Sequence, residues 1–234
     1  MRFELYLESG PQHRKTWVYI PSLPGCSTVA ATSDAAAEAA RTAIRERVDF
    51  LCRHGETVSD PEPIELLVAD HIIERKVLGF GQQSFPSDRQ PMTSAEVASQ
   101  LRWAAWSREE LIAAAQAQSL PLAEKPAAGG RSAGAILAHV AEAEWSYVNS
   151  TLGTIPGRGG IAAAISQSAD APWAALAAER EALLTRLRTM TPAELTLVGE
   201  RGDGKPPRSA RRMLRRLLEH EWEHTLELRS RLSL

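Results

Sequence analysis

The spacing of apolar positions changes character near residue 90. Before that point, residues 3–8 and 16–20 read as strands, and residues 27–31 as a short third. Turn residues separate them: Ser9-Gly10-Pro11-Gln12-His13, then residues 21–25. Ala37, Ala40, Ile44, Val48 and Leu51 then recur at helical spacing. They predict an Ala-rich helix with Ser33 as N-cap, running to about Cys52 and stopped by His54-Gly55. Pro61 and Pro63 break the chain, and residues 64–68 and 72–77 return to strand character. His13 falls in a loop and His71 in an edge strand, which suits neither to metal ligation.

From residue 92 onward the period is helical. Thr93-Ser94-Ala95-Glu96 is a capping box opening a helix to about Gln118. Its buried face is Val97, Leu101, Ala104, Ala105, Leu111 and Ala115, flanked by Trp103 and Trp106. After a Pro- and Gly-rich break at 121–130, Ser132 caps a second helix that carries Ile136, His139, Val140, Ala143 and Tyr147 along one arc. Residues 149–160 form an irregular connection. Asp170 and Pro172 mark a third helix, with Trp173, Leu176, Leu183, Leu184 and Leu187 to pack. Thr191-Pro192-Ala193-Glu194 caps a further short turn, 202–207 is a loop, and Ser209 opens the last long helix. The expected organisation is an α+β module over 1–83, a linker over 84–91, and an all-α four-helix bundle over 92–234.

Composition changes this picture little. The chain has 234 residues, 44% hydrophobic, with a net charge of −2. That balance gives no electrostatic reason to expect nucleic acid or an anionic membrane as partner. Two cysteines, Cys26 and Cys52, do not make a disulfide framework. There is no apolar run of membrane-spanning length and no apolar stretch at the start, so a cytoplasmic location is the expectation. The glycines at 153, 157, 159 and 160 lack the Gly-Lys-Ser/Thr ending of a phosphate loop. Arg208, Arg211, Arg212, Arg215 and Arg216 read as a solvated helix face, with Arg215 paired to Glu219 at i,i+4.

The chemistry concentrates in the last helix. At about 100° per residue, Met213, Leu217, His220, His224 and Leu228 share one stripe, with Arg211, Arg215 and Glu219 pointing elsewhere. Two imidazoles four apart on an inward stripe are half of a metal site. His139, on a second apolar helix, is the candidate third ligand. His220-Glu221-Trp222-Glu223-His224 is also, read literally, the HExxH signature of zinc proteases. The metzincin extension is absent, since Glu227 and Ser230 stand where Gly and His are required, and an upstream histidine is the better third ligand. Glu221 falls inside the apolar arc, where a carboxylate needs a partner. It is the candidate catalytic residue, relaying a proton or orienting an imidazole, with a structural bond to a neighbouring helix as the alternative. Glu223 is expected on the outer face.

Two resemblances extend this reading. Trp17-Val18-Tyr19-Ile20-Pro21-Ser22-Leu23-Pro24-Gly25-Cys26, followed by Thr32-Ser33-Asp34 and an Ala-rich helix, resembles the HicB antitoxins over about residues 1–75. No segment like their DNA-binding part follows, so the resemblance implies a HicB-like binding or assembly module. A histidine on the second helix and His-Glu-x-x-His near the end of the fourth resemble the DinB family over about residues 92–232. That resemblance implies a four-helix bundle holding one divalent metal, zinc or nickel, through His139, His220 and His224. It also implies activity as a transferase using a low-molecular-weight thiol, with small-molecule hydrolysis beside it. A catalytically silent bundle acting through the HicB-like module is the other class. Neither nucleic acid nor membrane is an expected partner, and a homodimer is compatible with the sequence.

Overall fold

The computed structural model describes residues 1–10, 15–73, 84–127, 129–155, 164, 171–200 and 207–232. It divides into two compact units, Met1–Gln90 with Gly199–Pro207, and Pro91–Val198 with Arg208–Leu234.

The first unit is a four-stranded sheet of β1 (Arg2–Ser9), β2 (Thr16–Tyr19), β3 (Ser27–Ala30) and β4 (Glu65–Ile73), in the order β3-β2-β1-β4. β1–β2 and β2–β3 are antiparallel, while β1 and β4 run parallel. A parallel neighbour requires a crossover, and α1 (Ser33–Arg53) supplies it, packing across β1–β3. Alternation along β1 turns Phe3, Leu5 and Leu7 to one face. On the other, Tyr6 and Tyr19 lie against Phe85 at ring-centroid distances of 4.7 and 5.5 Å. Residues 84–91, read as a linker, thus contain a buried aromatic anchor and a 3₁₀ turn at Pro86–Arg89.

Several local expectations shift here. The N-cap of α1 is Thr32 rather than Ser33: its extended backbone lets Oγ1 accept the Ala35 amide at 3.2 Å. Where two separate apolar runs were expected, one strand passes through residues 65–73, paired along its length with β1 except for a register shift between Leu5 and Tyr6. Residues 74–77 lie outside the described ones, as do His13 and the loop 202–206. His71 does sit on an edge strand, with Nε2 2.7 Å from Ser9 Oγ. Gly25 has φ of 86°, and a Cβ there would stand 2.6 Å from Arg47 Nη2. The Leu-Pro-Gly-Cys turn is therefore closed by a fully buried arginine of α1, whose Nε donates to the Pro24 carbonyl at 3.0 Å.

Among the described residues, the second unit is helical: α2 (Ser94–Gln116), α3 (Ala133–Leu152), α4 (Ala171–Arg188), the single turn α5 (Pro192–Leu195), and α6 (Ala210–Ser230). Capping residues act where the sequence places them. Thr93 and Glu96 form the capping box of α2, and Ser132 and Ser209 accept the amides of Ala135 and Arg212 at 3.1 Å. α6 packs along both α2 and α3, and α4 packs on both of these. One core cluster gathers Leu101, Trp145, Val148, Leu183, Leu187 and Leu217; another gathers Leu111, Ile136, Val140, Leu176 and Leu228. None of the described helices is long and apolar enough to cross a membrane.

The main departure is α6 itself. Fourteen of its 21 residues are buried, so it has no broad solvated face. Arg215 and Arg216, read as part of an exposed basic cluster, are buried together with Glu219. The expected Arg215–Glu219 pair exists, at 2.7 and 2.9 Å, and Arg216 Nη1 joins it at 2.8 Å. Arg211 donates to the Pro91 carbonyl and to Glu96. Charges enclosed on a central helix require partners, and these partners are what the helical stripe alone did not reveal.

Candidate metal centre

His220 and His224 stand one turn apart on α6, each about 2% exposed, and His139 approaches from α3 as the most open of the three. His220 Nε2 lies 3.2 Å from His139 Nε2 and 3.2 Å from His224 Nε2. The three rings meet edge to face at centroid distances of 4.5 to 5.2 Å. Nitrogens about 2.0–2.1 Å from a shared metal stand about 3.3 Å apart in tetrahedral geometry and about 2.9 Å at octahedral right angles. The observed spacing falls between those values. His220 Nε2 faces two nitrogens and carries at most one proton, which can serve only one of them. A cation at the centre turns the remaining lone-pair contact into a bond, so the donor set fits a divalent metal.

Burial and neighbouring charge keep His220 and His139 neutral. Burial first, then the neighbouring His224 and the Arg216 charge, holds the pKa of His220 far below the usual imidazole range. Burial, His224 and Arg131 lower that of His139. Both shifts carry the same sign for stability. The unfolded chain takes up protons at about 6.5 while the folded site does not, so the stability present above that pH is lost as pH falls. In chelator-treated protein, the midpoint of urea unfolding is therefore expected to fall steadily between about pH 7 and 5. A flat profile over that interval would refute the neutral, buried state of the two imidazoles.

Surrounding side chains hold the three imidazoles. Glu227, one turn beyond His224, places Oε2 2.8 Å from His224 Nδ1. Arg131 Nη2 donates to the same oxygen at 2.8 Å, and Arg231 Nη2 to Oε1 at 3.0 Å. Burial alone would raise the pKa of Glu227, but the His224 hydrogen bond and the two arginines hold it down at about 2. On the other side, the Tyr147 ring meets His220 edge-on at 5.9 Å, and Arg216 reaches the Tyr147 hydroxyl at 3.5 Å.

Glu221 is fully buried, as its position in the apolar arc implied, and the structure gives it the partner of the alternative reading. Its Oε1 accepts from Arg108 Nε, and its Oε2 from Arg180 Nη2 at 2.9 Å. Both arginines also bind Glu144 Oε1, and Arg180 Nη2 donates to the Ala104 carbonyl at 2.6 Å. Two carboxylates and two guanidiniums from α2, α3, α4 and α6 thus form one buried, charge-balanced cluster. Burial works against the charge of Arg108, but Glu144 and Glu221 more than offset it and raise its pKa. Glu223, expected outside, is half-buried.

Arg108, Glu144, Arg180, Arg131 and Glu227 were not singled out from the sequence. A signal existed for the first three. Arg108 interrupts Ala104–Leu111, Glu144 interrupts Ala141–Val148, and Arg180 interrupts Leu176–Leu183, each a charge inside an apolar stripe. Glu227 stands at i+3 from His224, within reach on a helix.

The helical unit presents three imidazoles on two packed helices, an arrangement from which helix bundles build metal sites. The family model of the DinB superfamily matches residues 104–228, a span containing His139, Glu221, His220 and His224. That is more than half of the chain, which therefore belongs to the DinB superfamily, a group whose members often bind a divalent metal. No curated protein and no solved structure matches the chain.

Proposed function

We propose that this chain is a divalent-metal protein with zinc or nickel held by His139, His220 and His224, and that its site adds a low-molecular-weight thiol to a small electrophile. The observation that carries the reading is the convergence of three imidazoles whose candidate ligand atoms lie within 4.8 Å of one another, with His220 Nε2 at 3.2 Å from each of the other two. When bound, the ion would act as a Lewis acid and hold a thiol as thiolate at neutral pH. The chain's own contribution is to keep His220 and His139 neutral by burial and to bring the three rings together. Thiol addition is favoured over hydrolysis by the state of Glu221. Both of its oxygens are taken by guanidinium donors, so neither is directed at a substrate proton. A thiolate is its own nucleophile and needs no such base. The second unit contains no cysteine, which supports a thiol supplied as a cosubstrate.

The occupied Glu221 also supports a second reading, a catalytically silent, metal-stabilised bundle. In that case residues 1–83 act as the HicB-like binding module, 84–91 as connector, and 92–234 as a four-helix bundle. The β1-β2-β3-α1-β4 order and the Arg47-closed turn support the module. Cobalt-replaced protein separates the two. Titration with a small thiol is expected to add a sulfur-to-cobalt charge-transfer band under the first reading. A spectrum unchanged at saturating thiol would favour the silent bundle.

A further inference from the structure

The geometry points to Glu227 as a positioning residue that fixes the tautomer of His224 and fastens the start of α3 to α6; as a statement about metal affinity it rests on the three-histidine reading above. Only the direction of one hydrogen bond is needed. Glu227 Oε2 lies 2.8 Å from His224 Nδ1, while Arg131 Nη2 lies 3.4 Å from that nitrogen. A carboxylate can only accept, so Nδ1 carries the hydrogen, and in the neutral ring Nε2 is left with its lone pair. That lone pair faces His220 Nε2 at 3.2 Å, toward the centre of the three rings.

Glu227 is braced so that it cannot itself turn inward. Arg131 holds Oε2 at 2.8 Å and Arg231 holds Oε1 at 3.0 Å, while Arg231 Nη1 also donates to the Arg131 carbonyl at 2.9 Å. Arg131 directly precedes Ser132, the N-cap of α3, and α3 carries His139. One carboxylate therefore sets the ring orientation of His224 and ties the opening of the helix bearing His139 to the helix bearing the other two ligands. Partners of this kind on the far nitrogen of a ligand histidine raise metal affinity about 10–100-fold.

The test uses the full chain and two readouts. In metal-free protein, long-range ¹H–¹⁵N correlation of the imidazoles, with His224 identified by the peaks lost in His224→Ala, is expected to show His224 as the Nδ1–H form. Glu227→Leu should release it to a mixture or to the Nε2–H form, whereas Glu227→Gln, whose amide oxygen still accepts, should retain it. Zinc affinity, measured by competition with a chelator, should fall about 10–100-fold in Glu227→Leu and less in Glu227→Gln. Arg231→Ala, which removes one of the two braces on Glu227, should change both readouts less than Glu227→Leu does. An Nε2–H tautomer in the wild type overturns the inference, as does Glu227→Leu binding zinc within about threefold of wild type. If Glu227→Leu does not fold, a tautomer lost in Glu227→Gln overturns it and one retained supports it. Should the wild type bind no divalent metal, the proposed function fails while the tautomer measurement still decides the role of Glu227.

Discussion

His220→Ala is expected to abolish divalent-metal binding, lowering affinity by more than about 100-fold, the upper end of what loss of a mere supporting partner costs. His220 is the middle member of the set, 3.2 Å from each of the other two Nε2 atoms, so its removal leaves two nitrogens without their common neighbour. His139→Ala and His224→Ala remove one end each, and His139 is the most open of the three. Its loss should be the mildest, since water can enter the vacated position. Metal content of chelator-washed protein, followed by competition titration, checks the order. A thermal readout is independent of any activity. A ligand that binds only the folded state stabilises it by RT ln(1 + [L]/Kd), about 2.7 kcal/mol at a hundredfold excess over Kd. Wild type should gain that stability with added zinc, and His220→Ala should not. Full occupancy of His220→Ala would remove it from the ligand set.

The three-histidine cluster was legible because a helix converts sequence spacing directly into geometry. His220 and His224 at i,i+4 must share a face, and both are buried on the stripe that also contains Met213, Leu217 and Leu228. His139 was legible for a related reason, as a polar residue on an otherwise apolar arc. The caps at Thr93, Ser132 and Ser209 depend on a few adjacent residues and were equally readable. What spacing could not show was how many neighbours α6 has. A helix packed on one side solvates its remaining charges, and on that assumption Arg215, Arg216 and Glu219 belong outside. Because α6 is enclosed, they are inside, and each needs a partner whose identity depends on how helices distant in sequence pack. Glu221 pairs with residues 113 and 41 positions away, a relation no local pattern encodes.

This enclosure changes what Glu221 is expected to do when altered. Glu221→Leu removes one of two negative charges from a buried cluster with two guanidiniums, leaving Glu144 to serve both Arg108 and Arg180. Removing one partner of a buried ion pair strands the other and costs about 3–5 kcal/mol. That is a large share of the about 5–15 kcal/mol that separates a typical folded domain from its unfolded state. Glu221→Gln keeps the shape and an accepting oxygen but not the charge, and should be destabilising by a smaller amount. The converse exchange is informative: replacing Arg108, Glu144, Arg180 and Glu221 together by apolar residues of similar size should recover much of the loss, because the desolvation cost of a buried ion cluster offsets much of its Coulombic gain. Denaturant unfolding of the metal-free protein measures all three. Metal affinity of the surviving folded fraction then separates structure from chemistry. If Glu221→Gln unfolds at the wild-type midpoint yet binds zinc about tenfold more weakly, the residue acts on the metal site and the structural account of its two arginines fails. If it destabilises the fold and leaves zinc affinity unchanged, Glu221 is the central anchor of four helices and the chemistry of the site proceeds without it.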